Sequence, residues 1–196
     1  MTEGSPMPLA RISAIAAAVA IVVTGVLPAS AQSLTPGTYE VLPHRSASLL
    51  TIKGPLGSIS AEIPMRSGSI TVGGGGQITA SRAVLDTGAV SASNGLAERQ
   101  IRSPTGLDVD RYPTGQFIAT GATVSGPDIT LRGNLTIKST TRPITLTGEI
   151  VRANDRRFSA VFEGTIDRTK FGVTAGRPLY GRNASVRLRM VARKPR

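Results

Sequence analysis

Asp128-Ile-Thr-Leu-Arg-Gly-Asn-Leu-Thr-Ile-Lys-Ser-Thr-Thr-Arg-Pro-Ile-Thr-Leu-Thr-Gly-Glu-Ile150 is the stretch that decides the fold. By parity, Ile129, Leu131, Gly133, Leu135 and Ile137 share one face, and Thr130, Arg132, Asn134, Thr136 and Lys138 share the other. That period of two belongs to a strand with one dry and one wet side. Residues 139–143 interrupt it, and Pro143 is expected at a strand start or edge because proline cannot donate to a ladder. The alternation then resumes, with Ile144, Leu146, Gly148 and Ile150 set against Thr145, Thr147 and Glu149. Two such strands joined by a short polar turn form a hairpin. A chain built mostly of these units is a sandwich or a barrel.

The same pattern extends in both directions. Toward the C-terminus, Phe158, Ala160, Phe162, Gly164 and Ile166 form one dry face, and Val186, Leu188, Met190 and Ala192 another, backed by Arg187, Arg189 and Arg193. Toward the N-terminus, Tyr112-Pro113 launches a strand over 116–124, since a residue before proline is held extended. Phe117, Ala119 and Gly121 are expected inside it. Residues 77–86 read as a strand with Ile78, Ala80 and Val84 inward. Arg82 shares their parity, which puts it at the barrel mouth or inside with a partner. Gly73 to Gly76 reads as a hairpin loop, since no Gly-Lys-Ser/Thr follows to make a phosphate cradle. Shorter strands are expected around Tyr39 and Val41, Leu50 and Ile52, Ile59 to Ile63, and Ile70 and Val72. Gly54-Pro55 and the segment Pro64 to Gly68 supply their turns. The helical signal is a short segment, Leu96 to Arg102, capped by Ser93 or Asn94 and ended by Ser103-Pro104, with Ala97 and Ile101 on one face.

These elements predict an all-β fold: a closed antiparallel barrel of about eight strands with one short helix-loop covering an end. The inferred interior comprises Ile78, Ala80, Phe117, Ala119, Leu131, Leu135, Leu146, Phe158, Phe162, Leu188 and Met190. The chain has only four Phe, three Tyr and no Trp. Small inward residues (Ala80, Ala119, Gly121, Gly133, Gly148, Ala160, Gly164) therefore predict an open channel suited to a long, thin, apolar guest. At ~0.8 kcal/mol per buried CH₂, a tail of a few tens of carbons offsets the ordering cost of association.

The 196 residues suit one domain of sizeable core. Ile12 to Leu27 is an apolar run preceded by Arg11 and followed by Pro-Ala-Ser-Ala31. Residues 1–31 are expected to be a cleaved secretory signal, with Gln32 the first mature residue and 32–196 the barrel domain. The competing reading of the run is a membrane anchor. Met7-Pro-Leu-Ala-Arg11 makes a more ordinary signal start than Met1, because Glu3 precedes the first cation. The expected location is the periplasm or beyond the cell.

There is no cysteine, which removes disulfides, thiolate metal sites and a lipid-bearing mature cysteine. Cleavage would take away one cation, Arg11, and one carboxylate, Glu3, so the net charge of +11 is unchanged. Such a balance favours an anionic partner, and export makes nucleic acid the least suitable. The outer face of the last strand, Arg187, Arg189 and Arg193 with Lys194 and Arg196, is expected to attract anionic lipid weakly. Catalysis has little to stand on. His44 is the one histidine, and no Gly-x-Ser-x-Gly elbow exists. No catalytic, metal or cofactor residue is assigned. Asp108 and Asp110 are the closest carboxylate pair, and Asp108 is expected to cap or to pair with arginine.

Several segments resemble the YceI-like family of bacterial periplasmic lipid-binding proteins. The central hairpin, Gly133-Asn-Leu-Thr-Ile-Lys-Ser-Thr-Thr-Arg-Pro-Ile-Thr-Leu146, is similar to that family's "G-x-L-T-I-x-G-x-T-R-P-V-x-L". Gly37 to Ser46 resembles its opening pattern, and His44 belongs to it. Ala97 to Phe117 resembles its longest signature. Arg99, Ile101, Arg102, Ser103, Asp108, Tyr112, Pro113 and Phe117 fall in register there, while Gln100 stands for the usual acid and Leu107 for the usual Phe. Asp167-Arg168-Thr-Lys-Phe171-Gly-Val173 matches "D-R-x-x-F-G-I". The resemblance spans about 35–193 and is weakest over 47–72. It implies a lipocalin-like barrel that holds a polyprenyl or quinone-type isoprenoid lipid. It also implies mouth roles for His44, Arg99, Arg102, Asp108, Tyr112, Asp167, Arg168 and Phe171. Members of that family sometimes accompany membrane b-type cytochromes, which adds such a cytochrome as a candidate partner. The alternative, from another class, is a basic envelope-surface module docking on anionic lipid or polysaccharide with its barrel packed.

Overall fold

The computed structural model describes residues 34–55 and 57–196. The expected signal, 1–31, lies outside the described residues. Among the described residues ten strands follow one another: β1 (Gly37–Val41), β2 (Ala47–Gly54), β3 (Gly57–Val72), β4 (Ile78–Asp86), β5 (Ser91–Ala92), β6 (Thr114–Ser125), β7 (Asp128–Ile137), β8 (Thr140–Ala153), β9 (Arg157–Asp167) and β10 (Asn183–Arg193). The helix α1 (Gly95–Arg102) sits between β5 and β6. Eight strands close a ring in the order β10-β2-β3-β4-β6-β7-β8-β9, and β9 pairs back onto β10. This is the closed antiparallel eight-stranded barrel with one short helix.

β1 adds no ninth stave. It pairs with the far ends of β10 and β3, the same two strands that flank β2. β1 and β2 thus fill one position in succession, broken by a 3-10 turn at Pro43–Arg45. The break is sealed where the Leu42 N–H donates to the Val191 carbonyl (2.8 Å) and the buried Ser46 Oγ accepts from the Val191 N–H (3.0 Å).

The central hairpin has the expected parity. Ile129, Leu131, Gly133, Leu135 and Ile137 are buried, while Arg132 and Asn134 are exposed. Its turn is tighter than expected: Ile137 pairs with Thr140, leaving only Lys138 and Ser139, with Lys138 at φ 55°. Pro143 therefore lies within β8. It is tolerated because β8 meets β9 only from the Thr147–Glu163 pair onward, so 140–146 have β7 alone as neighbour.

Three other expectations need correction. The turn expected at Pro64 to Gly68 does not form, and the third and fourth strands are one continuous β3. Met65 donates toward the Ser46 carbonyl (3.3 Å), so the nitrogen of Pro64 faces β4, where the ladder has already ended at the Met65–Leu85 pair. In β4, the register slips between Thr71 and Val72, with Thr71 opposite Ala80 but Val72 opposite Ile78. One extra residue, Thr79, reverses every later side chain. Ile78 stays inward, but Ala80 is exposed, and Ala83 and Leu85 face the core in place of Val84. Arg82 is carried outside as well. In β6 a second bulge, between Ala119 and Gly121, turns Gly121 out and brings Ala122 and Val124 in.

The inward glycines do not leave the expected channel either. A Cβ on Gly133 would meet the Phe117 ring at 2.5 Å, one on Gly148 the Phe162 ring at 2.7 Å, and one on Gly164 the Leu146 methyl at 2.7 Å. Each gap is filled by a larger neighbour. The end of the barrel where β10 finishes is packed through: Tyr39 and Phe158 meet edge to face at 5.0 Å, beside the fully buried Phe162 and Ile129. The Tyr39 hydroxyl donates to the Thr35 carbonyl (2.7 Å), so this floor carries no stranded polar group.

Candidate functional site

The other end is hollow. A cavity of about 130 Å³ lies under α1 and the loop after it, between the C-terminal half of β2 and the N-terminal half of β8. Leu50, Ile52 and Ile63 form one wall, Phe117, Leu135 and Ile144 another, and Ile101 and Leu107 the roof. The side chains that supply polar atoms to the lining residues are Ser48 and Arg168. An apolar cavity close to this size stays dry and holds a benzene-sized guest.

The roof is set by local sequence. Asn94 Oδ1 accepts the Ala97 N–H (2.8 Å), starting α1, and the buried Ala97 and half-buried Ile101 turn inward as one face. The Leu107 N–H donates to the Ile101 carbonyl (2.6 Å). Asp108 adopts a left-handed φ of 52°, and its carbonyl accepts from the Arg111 and Tyr112 N–H groups. Lys138 Nζ then ties the layer together, donating to the carbonyls of Pro104 (2.8 Å), Gly106 (3.3 Å) and Gly172 (3.4 Å).

The second support is Arg168, only 4% exposed. Its Nε donates to the Gly181 carbonyl (2.9 Å), Nη1 to Val173 (3.1 Å) and Ala175 (2.7 Å), and Nη2 to Tyr180 (3.1 Å). The guanidinium therefore turns into the loop 172–182 and offers the cavity mainly its stem. Burial lowers its pKa, the Arg177 charge lowers it further and Asp167 opposes both. Arginine nevertheless stays protonated. Asp167 caps the 3-10 turn Arg168–Phe171 by accepting from the Thr169 hydroxyl (2.6 Å) and N–H (3.1 Å). The Thr169 hydroxyl is the chief reason its carboxyl sits below the usual range; burial opposes this, and the Thr169 N–H, Arg182 and Lys170 add to it.

The predicted residues separate into distinct places. Phe117, Leu135 and Leu188 line the cavity, as do Arg168 and Phe171. Ile78, Leu131, Leu146, Phe158, Phe162 and Met190 are buried in the packed core, with Ala119 half-buried against it. Ala80 faces solvent. Arg99 is exposed on α1, while Arg102 Nη1 donates to the Gly88 carbonyl (2.8 Å). The Tyr112 carbonyl accepts from the Thr87 hydroxyl (2.6 Å), and Arg111 lies 5.5 Å from the Tyr112 ring centre. His44 is not at the mouth: it is exposed on the Pro43–Arg45 turn, and the whole of β2 separates it from the cavity end. Ala83 and Leu85 were missed through the β4 bulge, although Arg82 on the supposed dry face was a visible sign of it. Leu50 and Ile52 alternate with Leu49 and Thr51 and were legible as strand, but nothing local placed them on the hollow end.

A closed antiparallel barrel, solid at one end and carrying an apolar, helix-roofed cavity at the other, is a lipocalin-like barrel. Residues 39–192 match the profile of the YceI-like domain. The chain belongs to the YceI-like family. Curated relatives called Protein YceI, from Salmonella arizonae and Salmonella newport, are 26% identical over 95 residues, 46% of this chain and 50% of each relative. The match thus spans about half the length of those relatives. Among solved structures, BcnA of Burkholderia cenocepacia aligns with a TM-score of 0.65 at 15% identity, over 77% of this chain and 98% of that one. A polyisoprenoid binding domain from Saccharophagus degradans, implicated in plant cell wall breakdown, aligns at 0.60 and 12% identity, over 80% and 98%. At these identities the likeness speaks for the fold.

Proposed function

We propose that this protein is an exported, non-catalytic binding protein that carries or sequesters a long apolar isoprenoid or quinone-type lipid. The observation that carries the reading is the hollow end itself, a cavity walled by Leu, Ile, Phe and Val whose one charged neighbour spends its donors on loop carbonyls. Such a site selects by apolar shape and offers a polar head group inside little beyond the Ser48 hydroxyl. The polyisoprenoid-binding domain that shares the fold supports the choice of guest. At about 130 Å³ the cavity seats the tip of such a chain rather than its length. About six carbons at ~0.8 kcal/mol each supply roughly 5 kcal/mol, so tighter binding requires α1 and the 172–182 loop to move aside and admit more chain.

The test is organic extraction of protein purified from the envelope without detergent, followed by mass spectrometry and by uptake of added polyprenol. A retained apolar lipid, or saturable uptake, supports the reading; an empty barrel that takes up no polyprenol ends it. N-terminal sequencing of the envelope protein should begin at Gln32, and an intact Met1 or Met7 start would count against export by a cleaved signal.

A further inference from the structure

At the packed end, opposite α1, the β8–β9 turn and the end of β10 enclose a cleft of about 470 Å³. Arg156, Arg157, Arg193, Lys194 and Arg196 line it, against one carboxylate, Asp155. Its base is held by hydrogen bonds from the Asn154 side chain and between backbone groups. Asn154 Oδ1 accepts the N–H groups of Arg156 (3.1 Å) and Arg157 (2.9 Å), and the Asn154 N–H donates to the Arg157 carbonyl (2.8 Å). The Lys194 N–H donates to the Arg156 carbonyl (2.8 Å), tying the tail of β10 to the turn.

The register makes this more than a solvated basic edge. Arg157 and Arg193 stand directly opposite each other in the β9–β10 ladder, a like-charge pairing that disfavours the folded state. Farther along the same ladder Arg187 faces Glu163, with Nη1 3.7 Å from the carboxylate. One β10 cation is thus neutralised, while Arg193 is set against its like on β9, beside three more. On its other side Glu40 of β1 stands opposite it in the ladder, but no ion pair within 4 Å forms between the two among the described residues. An anion between Arg157 and Arg193 relieves that repulsion, and guanidinium forks match phosphate oxygens two at a time.

We infer that this cleft is a binding site for a phosphate group, either free or carried on an anionic lipid head group. The site departs from the expectation that the outer face of β10 as a whole attracts anions, because Arg187 already has its partner. It does not rest on the lipid-carrier reading. The cleft and the cavity occupy opposite ends of the barrel, so both can be filled at once. A lipid surface held at the cleft leaves the roofed end facing away from it.

The test is calorimetric titration of the parent with inorganic pyrophosphate at low salt, beside sedimentation with vesicles of phosphatidylglycerol in phosphatidylcholine. The double variant Arg157→Gln/Arg193→Gln should lose at least about tenfold in affinity, as expected when charge-assisted hydrogen bonds are removed. Arg187→Gln, which removes a cation from the same strand, should leave affinity unchanged. Asp155→Asn should raise it, a gain that no folding defect can mimic. Pyrophosphate binding with this pattern assigns the site to free phosphate. Vesicle binding alone with the same pattern assigns it to a lipid head group. Equal loss in Arg187→Gln shows a diffuse positive field and overturns the site, as does binding to neither probe.

Discussion

Replacing Arg168 by Met tests how the roof of the cavity is held. The guanidinium makes four hydrogen bonds, to the carbonyls of Val173, Ala175, Tyr180 and Gly181, and is 4% exposed. Each bond to a charged donor contributes about 1.5–3 kcal/mol. Against this stands the cost of burying the cation, several kcal/mol even after relaxation. Met preserves the apolar stem and removes both quantities. It leaves four carbonyls without donors, at roughly 1–3 kcal/mol each if all stayed buried. The loop carrying them runs through the exposed Arg177, Pro178 and Leu179, so part of that loss is recovered from water. A net destabilisation of about 2–3 kcal/mol follows, which at about 2–4 °C per kcal/mol lowers Tm by roughly 4–12 °C. Lysine should do no better than Met, since one ammonium cannot span four carbonyls arranged for a fork. The assay pairs a thermal melt with amide hydrogen exchange. Protection should fall at Thr174, Ala175, Tyr180 and Gly181, whose N–H groups bond to Thr105, Gly176 and Lys53 carbonyls. The β6–β8 amides should keep theirs. A variant that melts within about 1 °C of the parent, or that loses protection uniformly, would refute the clamp.

Leu146→Arg places a charge where Leu146 is 5% exposed and packed over Gly164, and should cost several kcal/mol. Thr147→Arg, one residue on and exposed, should change stability by no more than about 0.5 kcal/mol; paired melts decide, and equal effects would mean the β8 register is wrong. Ala83→Phe should fill the cavity from β4 and abolish uptake of polyprenol while leaving the fold's circular dichroism intact; unchanged uptake would place the guest elsewhere. Asp167 has a folded pKa below its unfolded value of about 3.9, so its stabilisation is present above that value and is lost as pH falls through the folded one. Asp167→Asn should therefore lower Tm at neutral pH and make no difference in strong acid, and a gap that persists in acid would deny the carboxylate its capping role.

Strand parity was legible wherever a strand ran without insertions. β7, β9 and β10 each alternate over their full length, and their buried and exposed residues fall as the sequence indicates. The bulge at Thr79 left one trace in the sequence, Arg82 on the dry parity, because one additional residue otherwise leaves the local pattern intact and only exchanges the faces. Ala80 was misplaced for that reason. Pro64 and Pro143 were read as breaks, since whether a missing N–H matters depends on the neighbouring strand at that point. The inward glycines misled in another way. That Phe117 covers Gly133, and Phe162 covers Gly148, is a fact about cross-strand diagonals, and a one-dimensional pattern does not contain them. The candidate site suffered most, because the sequence distinguishes inside from outside but not the solid end of a barrel from the hollow one.

The packed core beneath the cavity, closed off at its far end by Tyr39 and Phe158, has a consequence for what a barrel that carries the proposed lipid can measure. A sleeve open at both ends would let a chain slide, and its grip would grow with every carbon added. A well with a bottom behaves as a depth gauge. For the proposed guest, grip rises until its tip reaches the packed core beneath the cavity, and in the closed form described here further carbons hang outside and count for nothing. Such a vessel is indifferent to how long its cargo is and attentive to how the last few carbons are shaped, since a branched or bulky tip cannot reach the bottom. On the proposed reading the tip of the guest also leaves last, by the same door through which it came in.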